Sequence, residues 1–233
     1  MDAVTTSGHA IPPTEAQVIG AVNRAAGPRG ILVCAAGGLP GELHKLWRTT
    51  DPKGYHLEYG YSCMGYEIAG GLGVKMALPD RDVFVMVGDG SYLMLNSEIA
   101  TSVKMNKKLV VVLLDNHGFG CIHRLQQACG GAPFNNLLGE EGPPPAIDFA
   151  GHARSLGAIA EQVKSIADLE AALVRAGKAE RTSVIVIETD PLSATAAGGA
   201  WWDVAIAEVS TRPEVRAARD RYIEARQRQR LGG

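Results

Sequence analysis

The hydrophobic pattern of this 233-residue sequence points to an α/β fold, a mostly parallel sheet with helices on both faces, followed by a helical C-terminal tail. Short runs without a polar residue, Val83-Phe84-Val85-Met86-Val87 and Leu109-Val110-Val111-Val112-Leu113-Leu114, have the composition of strands covered on both faces. Between such runs lie stretches whose apolar residues recur at helical spacing. The runs end on Gly, Asp or Asn, where an open parallel sheet turns from strand to helix and where such sheets bind ligands.

Pro12 and Pro13 precede a helix expected over residues 14–26, with Thr14 as its cap and Val18, Ile19 and Val22 on one face. Gly27 and Pro28 stop it. Residues 31–35 form a first strand, followed by a loop at 36–41 and a helix carrying Leu43, Leu46 and Trp47. A short run at 56–59 leads through small residues into a helix at 65–77. The strand at 83–87 ends at Gly88-Asp89-Gly90, after which Asn96-Ser97-Glu98 supplies a cap and an acidic first turn for a helix through Met105. The strand at 109–114 ends at Asp115-Asn116-His117-Gly118, and a helix follows at 119–128. Residues 130–145, rich in Gly, Pro and Asn, read as a surface loop of the length that often covers a site. Helices at 148–156 and 166–176 and a last strand at 184–187 complete a domain expected to span residues 1–191. Residues 192–233 read as a linker with Trp201-Trp202 and a tail helix opening at Pro213, with six arginines from Arg216 to Arg230. Glu214, Asp220 and Glu224 are interspersed, so that helix is expected to be solvated and docked through Val215 and Tyr222 rather than to bind nucleic acid.

With 46% hydrophobic and 21% charged residues, the composition excludes disordered, collagen-like and disulfide-scaffold classes. Lys and Arg number 23 against 25 Asp and Glu, so no net field makes nucleic acid or an anionic membrane the expected partner. No apolar run approaches the roughly 20 residues of a membrane-spanning helix. The N-terminal stretch lacks the basic and apolar segments of a secretory leader, and a cytoplasmic location is expected. Cys34, Cys63, Cys121 and Cys129 form no zinc-type pattern and are expected as reduced, mostly buried thiols.

The chemistry concentrates at two strand ends. Asp89 offers a carboxylate and Asn116 an amide oxygen, and one strand-helix-strand unit separates them, so the crossover returns the second strand beside the first. Carboxylate, amide and carbonyl oxygens suit Mg²⁺, which typically bridges such a site to phosphates. Gly88 and Gly90 allow close backbone approach, and the amides of Gly90 and Ser91 can face phosphate oxygens. A Gly-Asp-Gly by itself is also a tight turn with a capping Asp; the second strand end favours the ligand site.

Gly88-Asp89-Gly90-Ser91 together with Asp115-Asn116-His117-Gly118 resembles the thiamine diphosphate motif of the acetolactate synthase-like enzymes, with Asp115 where that motif usually has its first Asn. The resemblance implies that Asp89 and Asn116 bind Mg²⁺ through their side chains and Gly118 through its carbonyl. Gly60-Tyr61-Ser62-Cys63-Met64-Gly65-Tyr66 resembles the segment that holds the aminopyrimidine. Met64 matches the residue that wedges between the cofactor's rings, although taken alone it reads as a core residue. Ser62 matches the residue whose carbonyl accepts from the 4′-amino group, where the family usually has Gly. Gly38 and Leu39, in Gly37-Gly38-Leu39-Pro40, lie where relatives contact the diphosphate.

Residues 35–47, 56–60 and 130–137 are similar to the branch that hydrolyses 3D-(3,5/4)-trihydroxycyclohexane-1,2-dione in inositol catabolism, and this resemblance runs from about Gln17 to the C-terminus. It implies thiamine diphosphate- and Mg²⁺-dependent hydrolysis of a C–C bond of the cyclic dione to 5-deoxyglucuronate, the cofactor supplying the carbanion chemistry. A carboligase or decarboxylase acting on 2-oxo acids, and a non-catalytic cofactor-binding module, are the alternatives. In this family the glutamate that activates the cofactor belongs to a separate pyrimidine-binding domain. The resemblance therefore implies a partner domain or subunit and a homo- or hetero-oligomer, and neither Glu58 nor Glu67 is assigned that role. His56, His117 and His123 are candidates to line the substrate side, and the acid-base residues stay unassigned.

Overall fold

The structure, a computed structural model, describes residues 2–6, 11–139, 142–143, 145–196 and 204–229. Trp201, Trp202 and Arg230 of the expected tail, and parts of the 130–145 loop and the linker, lie outside the described residues. Six strands form one parallel sheet in the order β2-β1-β3-β4-β6-β5, with β1 at Ile31–Cys34, β2 at Tyr55–Leu57, β3 at Val83–Gly88, β4 at Val110–Asp115, β5 at Ile159–Val163 and β6 at Ser183–Glu188. The helices are α1 (Asp2–Thr6), α2 (Glu15–Ala26), α3 (Gly38–Leu46), α4 (Tyr66–Ala77), α5 (Asp89–Met94), α6 (Glu98–Lys104), α7 (Gly120–Ala128), α8 (Phe149–Ser155), α9 (Ile166–Lys178) and α10 (Pro213–Arg228).

The strands alternate their side chains between two cores, as their period of two requires. Leu32, Phe84, Met86, Val112 and Ile185 share one cluster with Val18, Ile19 and Val22 of α2, Leu43 and Leu46 of α3 and Leu169 of α9. Ile31, Val33, Val85, Val111 and Val186 share the other with Ile68 and Leu72 of α4, Ile99 of α6 and Phe149 of α8. β3 and β4 are central and apolar on both faces, which is why their sequences carry no alternation. The capping of α2 is reciprocal: the Gln17 N–H donates to Thr14 Oγ1 at 3.3 Å, and the Thr14 N–H donates to Gln17 Oε1 at 2.9 Å.

Several expectations need correction. β5, which the sequence presents only as chain between two helices, is one of the sheet's two edge strands. Its sequence Ile-Ala-Glu-Gln-Val leaves Ile159 and Gln162 exposed, so it carries no buried-strand signal. α1 and α5 are additional short helices, and α3 begins at Gly38, inside the expected 36–41 loop, because Gly37 turns the chain at φ +103°. Pro40 is tolerated there, since an N–H in the first helical turn has no intrahelical hydrogen bond to lose. Ser97 precedes α6 without a side-chain capping bond. Of the four free thiols only Cys34 is buried; Cys63 is exposed, and Cys121 and Cys129 are partly exposed.

The described part of the 130–145 loop contains no helix or strand, but it is stitched to the end of β4: Phe119 N–H donates to Asn136 O and Leu138 N–H to His117 O, both at 2.7 Å. α10 buries Ala218 and half-buries Val215 and Tyr222, and the Arg212 side chain anchors it by donating to Gly130 O at 2.7 Å. Among the described residues no helix is long and apolar enough to cross a membrane.

Candidate functional site

β1 leads to β2 on one side and its other neighbour is β3, so the chain reverses direction across the sheet beside β1. A crevice at the carboxyl ends of the strands is expected at such a point. It is present as a cleft of about 380 Å³, and Gly38, Leu39, Ser62, Met64, Gly88, Asp89, Gly90, Ser91, Asn116 and Gly118 all line it.

Asp89 opens α5 at the end of β3 and is 2% exposed. Its Oδ2 accepts the Gly118 N–H at 2.7 Å, tying the end of β3 to the turn after β4. The Asn116 amide reaches the same point: one of its terminal atoms lies 3.2 Å from Asp89 Oδ1 and 2.8 Å from Gly118 O. With its NH₂ there, Asn116 donates to both oxygens. With its oxygen there, three oxygens converge, the mixed donor set a hard divalent cation prefers. Turning one amide over is enough to exchange the two arrangements, so the residues fit Mg²⁺. No cluster of three or more His, Cys, Asp or Glu side chains suited to a metal occurs among the described residues. Burial, and then the nearby Asp115 charge, push the Asp89 carboxyl up to about 6 against the pull of the Gly118 and Gly90 amides.

Two glycines here have no substitute. Gly118 sits at φ +133°, and a Cβ on it would fall 2.5 Å from Asn136 O. A Cβ on Gly90 would fall 2.7 Å from the Phe119 ring that packs over it. Across the cleft, Ser62 adopts φ +56°, the left-handed conformation that the family's usual Gly takes without strain. Glu58 holds it there by accepting the Tyr61 N–H at 3.1 Å and the Cys63 N–H at 2.7 Å on its two oxygens. Those amides, Cys63 first, also hold the Glu58 carboxyl below its usual range. Met64 is partly exposed on the cleft wall, so it is not a core residue.

The candidate histidines do not line the cleft. His117, at φ +61°, points to the far side of β4, with Nε2 2.9 Å from Glu188 and Nδ1 3.4 Å from Asp115. Burial works against its charged form, but the Glu188 hydrogen bond and the Asp115 charge outweigh it and raise its pKa. Asp115 also accepts the His117 N–H at 3.1 Å, so the residue that departs from the family motif serves this turn rather than the cleft. His123 is buried on α7, with its Nε2 3.1 Å from Gln127 Nε2, and His56 lies on β2.

The cleft also recruits residues that the sequence does not mark. Ile122 and Leu125 of α7 repeat at helical spacing, a signal usually read as core, yet they stand exposed on the cleft wall. Glu15, 4% exposed at the start of α2, also lines the cleft, and burial pushes it up to about 7 against the Arg124 charge. An acidic residue in a first helical turn is ordinarily solvated, so nothing in the sequence singles it out.

A family model described as thiamine pyrophosphate enzyme, C-terminal TPP binding domain, matches residues 35–187. The chain is 44% identical over 213 residues to the 3D-(3,5/4)-trihydroxycyclohexane-1,2-dione hydrolase of Geobacillus thermodenitrificans, covering 88% of this chain and 33% of that protein. It is 44% identical over 225 residues to the hydrolase of the same name from Bacillus thuringiensis, covering 93% of this chain and 35% of that one. The chain thus spans about a third of the length of these relatives. Among solved structures, a thiamine diphosphate-dependent 4-hydroxybenzoylformate decarboxylase from Rhodococcus jostii superposes with a TM-score of 0.71 at 19% identity, covering 79% of this chain and 34% of the other. Benzoylformate decarboxylase from Polynucleobacter necessarius gives 0.71 at 19% identity, covering 81% and 35%. At that identity the superpositions speak to the fold alone.

Proposed function

The chain belongs to the thiamine pyrophosphate enzymes through their C-terminal TPP-binding domain, and on that footing we propose that its cleft binds thiamine diphosphate through Mg²⁺ held by Asp89, Asn116 and the Gly118 carbonyl. The observation that carries this reading is the convergence of those three groups on one point at the carboxyl ends of β3 and β4. When bound, the cofactor supplies the carbanion chemistry. The protein's part is to bind, orient and exclude water. The Ser91 amide would meet the diphosphate where the chain enters α5, the Gly90 amide being turned to Asp89, and Gly38 and Leu39 would meet it at the start of α3. The Ser62 carbonyl, set by its left-handed backbone, and the Met64 side chain orient the ring end. Phe119, Ile122 and Leu125 form an apolar wall that keeps water from it.

The reaction we assign is hydrolytic cleavage of a C–C bond in 3D-(3,5/4)-trihydroxycyclohexane-1,2-dione to give 5-deoxyglucuronate, supported by the 44% identity to hydrolases named for that dione. Residues 1–191 serve as the diphosphate-binding domain and residues 192–233 as its appended tail. The chain spans a third of those hydrolases, and a pyrimidine-binding domain or subunit carrying the activating glutamate completes the site in a homo- or hetero-oligomer. The test mixes the chain with a polypeptide supplying the remaining two thirds of such a hydrolase, with thiamine diphosphate and Mg²⁺, and offers the cyclic dione or pyruvate. Ring-opened acid from the mixture, and none from the chain alone, is the expected result. Turnover by the chain alone would overturn the need for a partner, and consumption of pyruvate in place of the dione would overturn the substrate.

A further inference from the structure

Glu67 occupies the second position of α4, is 2% exposed, and stands behind the cleft rather than on its wall. Its Oε1 accepts the Ser91 hydroxyl at 2.7 Å and its Oε2 accepts the Gly65 N–H at 2.9 Å. That N–H is shared with Ser91 Oγ at 2.8 Å, closing a three-membered network. The nearby backbone amides of Ala36 and of Glu67 itself also favour the charged carboxylate. Burial raises its pKa, and these donors hold it down.

A carboxylate removed from water is costly unless its oxygens are satisfied, and Ile68 and Leu72 show that the neighbouring positions of α4 are filled by apolar side chains. What distinguishes position 67 is the set of segments meeting there. Ala36 lies two residues beyond β1, Gly65 follows Met64 in the turn before α4, and Ser91 lies in the first turn of α5, directly after β3. All three segments line the cleft, and they approach it from different strands.

We propose that Glu67 is a positioning residue that fixes the turn carrying Met64 against the turn carrying Ser91, so that the ring end and the diphosphate end of one cofactor are gripped in register. The inference rests on the cofactor reading above. Preorganised groups strengthen binding by sparing the ligand the work of ordering them. Pyrophosphate with Mg²⁺ engages only the Ser91 side, whereas thiamine diphosphate with Mg²⁺ engages both sides. Loss of the coupling must therefore weaken the second ligand more than the first, a split that general unfolding would not produce.

Calorimetric titration of both ligands into the unsubstituted chain, Glu67→Ala and Glu67→Gln, with urea unfolding of each variant, tests this. Glu67→Ala is expected to weaken thiamine diphosphate about tenfold to hundredfold, the effect of leaving buried donors unpaired, and pyrophosphate less than about threefold. Glu67→Gln keeps an acceptor for Gly65 but turns an NH₂ toward Ser91, and is expected to fall between; should the alanine variant not fold, the split in the glutamine variant decides. Equal weakening of both ligands, or of neither, would overturn the positioning role. Failure of the unsubstituted chain to bind either ligand would instead overturn the cofactor reading, and this role with it.

Discussion

Asp89→Asn should make the metal-free protein more stable at neutral pH while abolishing its metal-dependent cofactor binding. The carboxyl is 2% exposed and is pushed from 3.8 up to about 6, with burial the leading cause. At about 1.36 kcal/mol per unit, the charged form disfavours the fold by ~3 kcal/mol above the folded pKa. The sign follows from proton binding: the folded carboxyl keeps its proton to higher pH than the unfolded one. Its stability is thus intact below the unfolded 3.8 and is lost as pH rises through about 6. Asparagine removes the charge and leaves an oxygen for the Gly118 N–H, while in the metal-free protein the Asn116 NH₂ donating to Asp89 Oδ1 favours the charged carboxylate, an offset of about 1 kcal/mol. The expected gain is ~1–2 kcal/mol at about pH 8 and near zero at about pH 4, read by urea unfolding in EDTA. Glu15, pushed up to about 7, titrates in both proteins and cancels in the difference. Added Mg²⁺ and thiamine diphosphate should then stabilise only the unsubstituted chain, by mass action. A variant no more stable at about pH 8, or equally shifted at both pH values, would show that the buried Asp89 charge does not oppose folding.

Gly118→Ala forces a side chain into φ +133° and to within 2.5 Å of Asn136 O, and should destabilise by about 2–4 kcal/mol in thermal unfolding; a loss below about 0.5 kcal/mol would contradict the close approach. Glu58→Ala frees the Tyr61 and Cys63 amides that hold Ser62 at φ +56°, so hydrogen exchange at those amides should accelerate and thiamine diphosphate binding weaken, while unchanged exchange would show that the turn holds itself. Leu113→Ala in the fully buried centre of β4 should cost about 2–5 kcal/mol in urea unfolding, and less than about 1 kcal/mol would mean that the central strand is not the core of the domain.

The parts of this molecule that were legible in its sequence are those where one physical demand acts alone. β3 and β4 are covered on both faces, so their composition announces them, and the ligand-capable Asp89 and Asn116 stand where a parallel sheet presents its strand ends. β5 was hidden because an edge strand is only partly buried, and α5 because Gly90, required by the Phe119 ring, is a poor helix former. Position 62 shows the limit of motif reasoning. A serine in place of glycine leaves the backbone shape open until the Glu58 carboxylate is seen bracing the turn. The direction of His117 was equally hidden, since a left-handed residue turns its side chain away from the face that strand alternation assigns. Glu15 and Glu67 are buried by segments distant in sequence, which no local pattern records.

Crystals of this chain grown with thiamine diphosphate and Mn²⁺ in place of Mg²⁺ would locate the metal directly by its anomalous scattering. One peak is expected at the carboxyl ends of β3 and β4, with the Asn116 amide oxygen turned toward it and the Asp89 carboxylate and Gly118 carbonyl completing the protein ligands at about 2.1 Å. A cofactor bound with its metal on other residues, or the Asn116 NH₂ still donating to Asp89 and Gly118 in the loaded cleft, would contradict this placement.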